Sequence, residues 1–266
     1  MKRSAWPVAL TIAGSDSGGG AGVQTDLKTF AAWRCHGTSA ITCLTAQNPR
    51  QVTGIQPVRP DMVRAQLRAI FAELPVGAAK TGMLFSAGII KVVAEWWAAD
   101  KRPPLVVDPV MVATSGAVLL KPSAIHALKE RLLPQACLIT PNLDEAQLLL
   151  GGTLRTLADL RAAAVGLHDL LGCAALVKGG HLDWRGQAVD VLFDGRRVTV
   201  LRARRIPGVS THGTGCTYSA AITAHLARGA KLLTAVRAAK RFVTDAIAQS
   251  YRIGAHLALQ PGAPGK

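Results

Sequence analysis

The sequence predicts an α/β protein built on a largely parallel sheet with helices on both faces. Short apolar runs alternate with segments of helical periodicity, nearly every apolar run ends in a glycine-rich or polar cluster, and no Pro/Gly/Ser linker or low-complexity run divides the 266 residues. Parallel neighbours need crossover connections, and those are helical. One domain spanning residues 1–266 is the expectation.

Val8 to Ile12 is a short apolar run ended by Gly14-Ser15-Asp16, and Val23 to Trp33 carries Val23, Leu27, Phe30 and Ala31 at helical spacing. This reads as strand, glycine loop, helix. Ser39 to Leu44 and Val52 to Val58 are the next strands, and a helix follows Pro60 with Val63, Leu67, Ile70 and Phe71 on one face. Ala78-Ala79 is a short strand before Thr81-Gly82. The helix Ser86 to Trp97 leads to the strand Leu105 to Asp108, which stops at Pro109.

Ser123 to Leu133 reads as helix, Cys137 to Thr140 as strand and Asn142 to Leu150 as helix. Leu157 to Leu171 is a further helix and Ala174 to Lys178 a strand. Ala188 to Phe193 and Arg197 to Leu201 form a hairpin over Asp194-Gly195. Two helices, Gly213 to Ala227 and Leu233 to Tyr251, finish the chain.

Composition narrows the function classes. With 49% hydrophobic and 18% charged residues the chain can bury a real core. Its longest apolar stretch, Ala162 to Val177, is broken by His168 and Asp169, short of the ~20 apolar residues of a bilayer span. Met1-Lys2-Arg3 leads into Gly-Ser-Asp chemistry without a cleavage-like site, so a cytoplasmic protein without membrane contact is expected. Cys35, Cys43, Cys137, Cys173 and Cys216 are scattered, with no CxxC pair, and read as reduced and mostly buried.

The formal charge is +15, and from Arg196 to Lys266 twelve basic residues face one acid, Asp245. Such a patch can hold nucleic acid through phosphates. Aromatics are only 5% and do not interleave with the basic residues, which disfavours nucleic acid and leaves phosphorylated small molecules as the preferred partners.

In open parallel sheets ligands bind beyond the carboxyl ends of the strands. Gly14 to Gly22, Thr45 to Asn48, Thr81-Gly82-Met83, Asp108-Pro109-Val110, Thr140-Pro141-Asn142 and Lys178-Gly179-Gly180 all lie there. Neither GxxxxGK[ST] nor GxGxxG is present. Thr214-Gly215-Cys216 is either an ordinary helix entry or an anion site of backbone N–H groups. Asn142 to Glu145 is either a capping box or an acid near a magnesium ion and phosphates. Asp108 can end a strand or anchor water around Mg²⁺, and Lys178 can be a solvated loop lysine or a point charge on phosphate. Together on one edge they outline a phosphoryl-transfer site.

The segments "LTIAGSDSGGGAGVQTDLKTF", "ITCLTAQN", "AAKTGML", "VVDPVMVATSGAVLL", "LITPNLDEAQLL", "VKGGH" and "STHGTGCTYSAAI", in order from about Leu10 to Lys240, resemble the hydroxymethylpyrimidine/phosphomethylpyrimidine kinases of the ribokinase-like superfamily. The resemblance implies a three-layer αβα sandwich without a separate lid domain, usually a homodimer. It also implies Mg-ATP-dependent phosphorylation of the thiamine-pathway pyrimidine alcohol and then of its monophosphate. On the same grounds Gln47 binds the aminopyrimidine edge, with Gly14, Asp26, Met83 and Val110 completing the pocket.

Asp108 and Glu145 then serve the metal and its waters, Asn142 and Lys178 the phosphates, and Thr211 and Lys240 the nucleotide. Gly213, Thr214, Gly215 and Cys216 form the anion hole, with Cys216 as base or orienting group and its thiol, ordinarily near ~8.5, lowered by the helix N-terminus. Gly18 stands where many members have serine and Pro49 where threonine is common. Pyridoxal kinases share much of the pattern, so a pyridine alcohol is the alternative substrate.

Overall fold

Leu105, Val106 and Val107 are all buried, and successive side chains enter opposite layers of the molecule. Leu105 and Val107 pack in one apolar cluster with Ile139, Ala175 and Val177, while Val106 packs in another with Leu138 and Leu176. That two-residue period with no solvated face is the mark of a sheet covered on both sides.

The computed structural model describes residues 5–111, 120–180, 182, 184–209 and 212–262. The elements in order are β1 (Val8–Asp16), α1 (Gly22–Ala32), β2 (His36–Gln47), β3 (Val52–Pro57), α2 (Pro60–Glu73), β4 (Val76–Thr81), α3 (Ala87–Trp97) and β5 (Leu105–Val107). There follow α4 (Pro122–Ala127), β6 (Leu138–Ile139), α5 (Leu143–Leu150), α6 (Leu157–Leu171), β7 (Ala174–Lys178), β8 (Gln187–Phe193), β9 (Val198–Arg204), α7 (Thr214–Ala227) and α8 (Leu232–Ala248).

The nine strands form one sheet in the order β3-β2-β1-β4-β5-β6-β7-β8-β9. The run from β2 to β7 is parallel, and β3, β8 and β9 are antiparallel additions at the edges. Helices α2 to α6 supply one layer, through residues such as Leu67, Ile90, Ala146 and Leu160. Helices α1, α7 and α8 supply the other, through Phe30, Ile222 and Val236. Each fully buried Leu, Ile or Phe contributes about 1.5–3 kcal/mol relative to exposure. The expected three-layer sandwich is therefore present.

Several boundaries differ from the sequence reading, and three of them are informative. β1 runs through Gly14 to Asp16, with its register against β2 shifting between Ala13 and Ser15; a side chain at Gly14, inside that irregularity, would meet Cys43 Sγ at 2.7 Å. The helix expected over Ser123–Leu133 is α4 followed by a wider turn, Leu128–Leu132, in which the Leu133 N–H reaches back to the Leu128 carbonyl. Pro134 explains it, since its ring excludes a regular helical turn ahead of it. The last helix stops at Ala248, and Tyr251–Ile253 pairs with His256–Ala258 in a hairpin turning at Gly254, whose φ is 55°.

Candidate active site

The carboxyl ends of β1, β2, β4, β5, β6 and β7 open into one cavity of about 630 Å³. Gly14, Gln47, Met83, Asp108, Val110, Asn142, Glu145, Lys178, Gly213, Thr214, Gly215, Cys216 and Lys240 all line it. Thr211 lies outside the described residues.

Asp26 is placed differently from expectation. It is fully buried in α1, bonded to Lys80 Nζ at 2.8 Å and to Thr11 Oγ1 at 2.6 Å, and it does not line the cavity. Its helical position turns it toward β1 and β4, so it touches the cavity only through Lys80, which does line it. Burial pulls the Lys80 ammonium down, but Asp26, with Cys216 and Asp108 adding, raises it above its ordinary value, so the lysine stays charged.

One end of the cavity is shaped by the first loop. Asp16 accepts the Gly18 and Ala21 N–H groups, each at 2.8 Å, and its Oδ2 lies 3.3 Å from His212 Nε2. Burial raises its carboxyl, and these partners, His212 foremost, hold it below the usual range. Gln47 is anchored by Ser17, which bonds both its N–H and its C=O at 2.8 Å. Gln47 Oε1 lies 3.1 Å from Thr45 Oγ1, whose single hydroxyl proton is also directed at the Ser15 carbonyl at 2.8 Å, so the amide is held at the cavity with both donor and acceptor capacity.

The floor is charged. Lys178 Nζ donates to Asp108 Oδ1 at 3.0 Å, and Asp108 also accepts from Thr140 Oγ1 at 3.2 Å and Ser219 Oγ at 3.3 Å. Burial raises the Asp108 carboxyl, but Lys178 and then Lys80 bring it below the ordinary value. Beside it Asn142 and Glu145 complete a capping box on α5: the Asn142 side chain accepts the Glu145 N–H at 2.9 Å and Glu145 accepts the Asn142 N–H at 2.8 Å. The capping reading holds, and the capping pair also lines the cavity. Burial pushes the Glu145 carboxyl up to about 7, with Lys178 opposing and Asp108 adding to the shift.

Helix α7 begins against this floor. Gly213 caps it at φ 82°, and a side chain there would overlap the Gly20 carbonyl oxygen, so the first loop and the helix entry interlock only through glycine. The N–H groups of that first turn face the cavity with the positive end of the helix dipole. Cys216 departs from expectation: burial pushes its thiol up to about 11, even though Lys80 pulls it down. Loss of solvent around the thiolate outweighs the helix terminus.

Lys80, Asp190 and Ser219 carry weight that the sequence reading did not assign. Lys80 and Asp190 did leave a signal, as single charges inside the otherwise uncharged strands VGAAKT and QAVDVLF, where only a paired charge survives burial.

The chain matches the model of the phosphomethylpyrimidine kinase family over residues 16–260. A hydroxymethylpyrimidine/phosphomethylpyrimidine kinase of Synechococcus elongatus is 50% identical over 250 residues, 93% of this chain and 94% of that one. Among solved structures, Bacillus subtilis pyridoxal kinase in an ADP complex superposes with a TM-score of 0.89 at 40% identity, covering 97% of this chain and 98% of that one. A phosphomethylpyrimidine kinase from Clostridium difficile 630 superposes at 0.80, also 40% identical, over 90% and 98%. With the sheet-edge motifs in one cavity and a relative half identical along nearly its whole length, the chain belongs to the phosphomethylpyrimidine kinase family.

Proposed function

We propose that this kinase transfers the γ-phosphoryl group of ATP in line to the hydroxymethyl oxygen of 4-amino-5-hydroxymethyl-2-methylpyrimidine, and in a second turnover to the phosphate of the product, for thiamine biosynthesis. One observation carries the reading: the α7 N-terminus, the Lys178–Asp108 pair and Cys216 line the same cavity as the fixed Gln47 amide. Gln47, able both to donate and to accept, binds the pyrimidine edge, with Gly14, Met83 and Val110 around the ring. Asn142, Lys178 and Lys240 serve the nucleotide, and the Gly213–Cys216 turn receives charge that develops on the transferred group.

Cys216, protonated at neutral pH, orients the acceptor oxygen, because a loose transition state asks little of a base. Among the described residues no group of three or more His, Cys, Asp or Glu is arranged for a metal. Two cavity carboxylates, Asp108 and Glu145, suit Mg²⁺, which takes one or two carboxylates and completes its shell with phosphates and water. When bound, the ion neutralises phosphate charge.

The likeness to pyridoxal kinase supports a second reading, in which a pyridine alcohol is the substrate instead. An assay with Mg-ATP and the pyrimidine alcohol, its phosphate and pyridoxal side by side decides between them. Turnover of the first two overturns the pyridoxal-only reading, and turnover of pyridoxal alone overturns the pyrimidine one. A cytoplasmic homodimer belongs to the same proposal, and sedimentation tests the dimer; no helix among the described residues is long and apolar enough to cross a membrane.

A further inference from the structure

Asp190 sits on β8 directly opposite Lys178 of β7 in the antiparallel pairing. It is buried, yet it lines the cavity. Its Oδ1 accepts the Gly179 N–H at 3.2 Å and its Oδ2 accepts Lys240 Nζ at 2.6 Å, so one carboxylate ties the loop after β7 to helix α8. The loop has no slack: a side chain at Gly179 would overlap the Val189 carbonyl oxygen. Lys178, one residue earlier, is held on its other side by Asp108 at 3.0 Å and through its N–H by the Pro141 carbonyl at 2.8 Å.

A buried ion pair is a poor source of stability, since a well-packed apolar pair does as well or better. Here both partners line a cavity wall that also holds Lys178, where a packing role alone does not call for charge. We infer that Asp190 is a positioning residue for the nucleotide phosphates, aiming the Lys178 loop and Lys240 from a single carboxylate. The inference rests on the kinase reading and deepens it. It also makes Lys240 a held donor rather than a mobile cation, because its position is set by a 2.6 Å bond across to the sheet.

The test uses Asp190→Asn, Lys240→Met and the double variant, each measured by ADP titration calorimetry and by steady-state kinetics. The double variant leaves no unpaired buried charge and guards against a mere failure to fold. Losing a charge-assisted bond worth about 1.5–3 kcal/mol predicts about tenfold or more weaker ADP binding and a matching rise in KM for ATP in Asp190→Asn. KM for the acceptor alcohol stays within about twofold, a split that general loosening of the fold does not produce.

Lys240→Met leaves the Asp190 carboxylate facing the phosphates and binds ADP more weakly than the double variant does. ADP affinity in a folded Asp190→Asn or double variant within about twofold of wild type overturns the inference, as does an equal rise in both KM values. If the wild type binds ADP but phosphorylates no alcohol, the kinase reading fails while the ADP titrations still decide the role of Asp190.

Discussion

A side chain at Gly215 would place its Cβ 3.3 Å from Lys178 Nζ and 3.6 Å from Asp108 Oδ2. The first turn of α7 therefore packs closely on the charged floor. Gly215→Ala requires the Lys178 ammonium to give by a few tenths of an ångström, which disturbs its alignment with Asp108. Turnover is expected to fall about 10²-fold, the scale for losing one donor aimed at developing charge. Because the strain sits at the cavity surface, thermal stability changes little, and calorimetry alongside kcat measures both.

Lys178 is a point charge already held by Asp108, and a longer planar head does not fit the same place. Lys178→Met is expected to lower kcat/KM by about 10²–10³-fold, and Lys178→Arg to recover less than a tenth of the loss. Full activity in the arginine variant would remove the positional argument and leave only a requirement for charge.

Burial pushes the Cys216 thiol up to about 11, so it is protonated at pH 7 and slow reaction with iodoacetamide is expected. Alkylation of Cys216, followed by peptide mass spectrometry in protein without nucleotide, is expected to rise until about pH 11. Cys216→Ser keeps the ability to hold the acceptor oxygen and stays within about tenfold of wild-type kcat; Cys216→Ala loses more. Full turnover by Cys216→Ala would leave the thiol only a packing role.

Glu145 titrates near 7 in the fold, against an ordinary value of 4.5, so between those values the folded state binds the proton more tightly than the unfolded one. Stability from this group is complete below about pH 4.5 and is lost as pH rises through about 7, by of order 3 kcal/mol in magnesium-free buffer. Glu145→Gln keeps the capping-box acceptor and removes that slope. Its Tm at pH 8 is expected several degrees above wild type, together with reduced activity, and a Tm difference that does not depend on pH would contradict the shift.

Asp26→Asn separates anchoring from substrate contact. Leaving Lys80 charged and unpaired in the core costs about 3–5 kcal/mol, roughly 10 °C in Tm for a chain of this size. KM for the acceptor is expected to stay within about twofold, measured below the variant's transition. A large rise in acceptor KM with unchanged Tm would restore Asp26 to the pocket.

Much of this was legible in the sequence because its signals are local. Leu157–Leu171 and Ala174–Lys178 have the same limits in sequence and structure, since a Thr156–Asp159 capping box, the left-handed Gly172 and a clean apolar run mark them. The strand-end rule alone put Gln47, Met83, Asp108, Asn142 and Lys178 on one edge, and resemblance added the substrate-binding role of Gln47 and Met83, for which neither carries a local signal of its own. Pro134 was visible too, but the widened turn ahead of it depends on how the Leu128–Leu132 segment packs.

The sequence by itself determined the alternation of strands and helices, the edge on which chemistry gathers, and the glycines at which the backbone must come close. Tertiary structure alone decided which charges meet. Asp26 turned inward to Lys80 because α1 packs on β1, and Asp190 reached both Gly179 and Lys240 because β8 lies antiparallel to β7 beneath α8. The Cys216 thiol rose instead of falling because desolvation depends on every atom packed around it, and that sum is written nowhere along the chain.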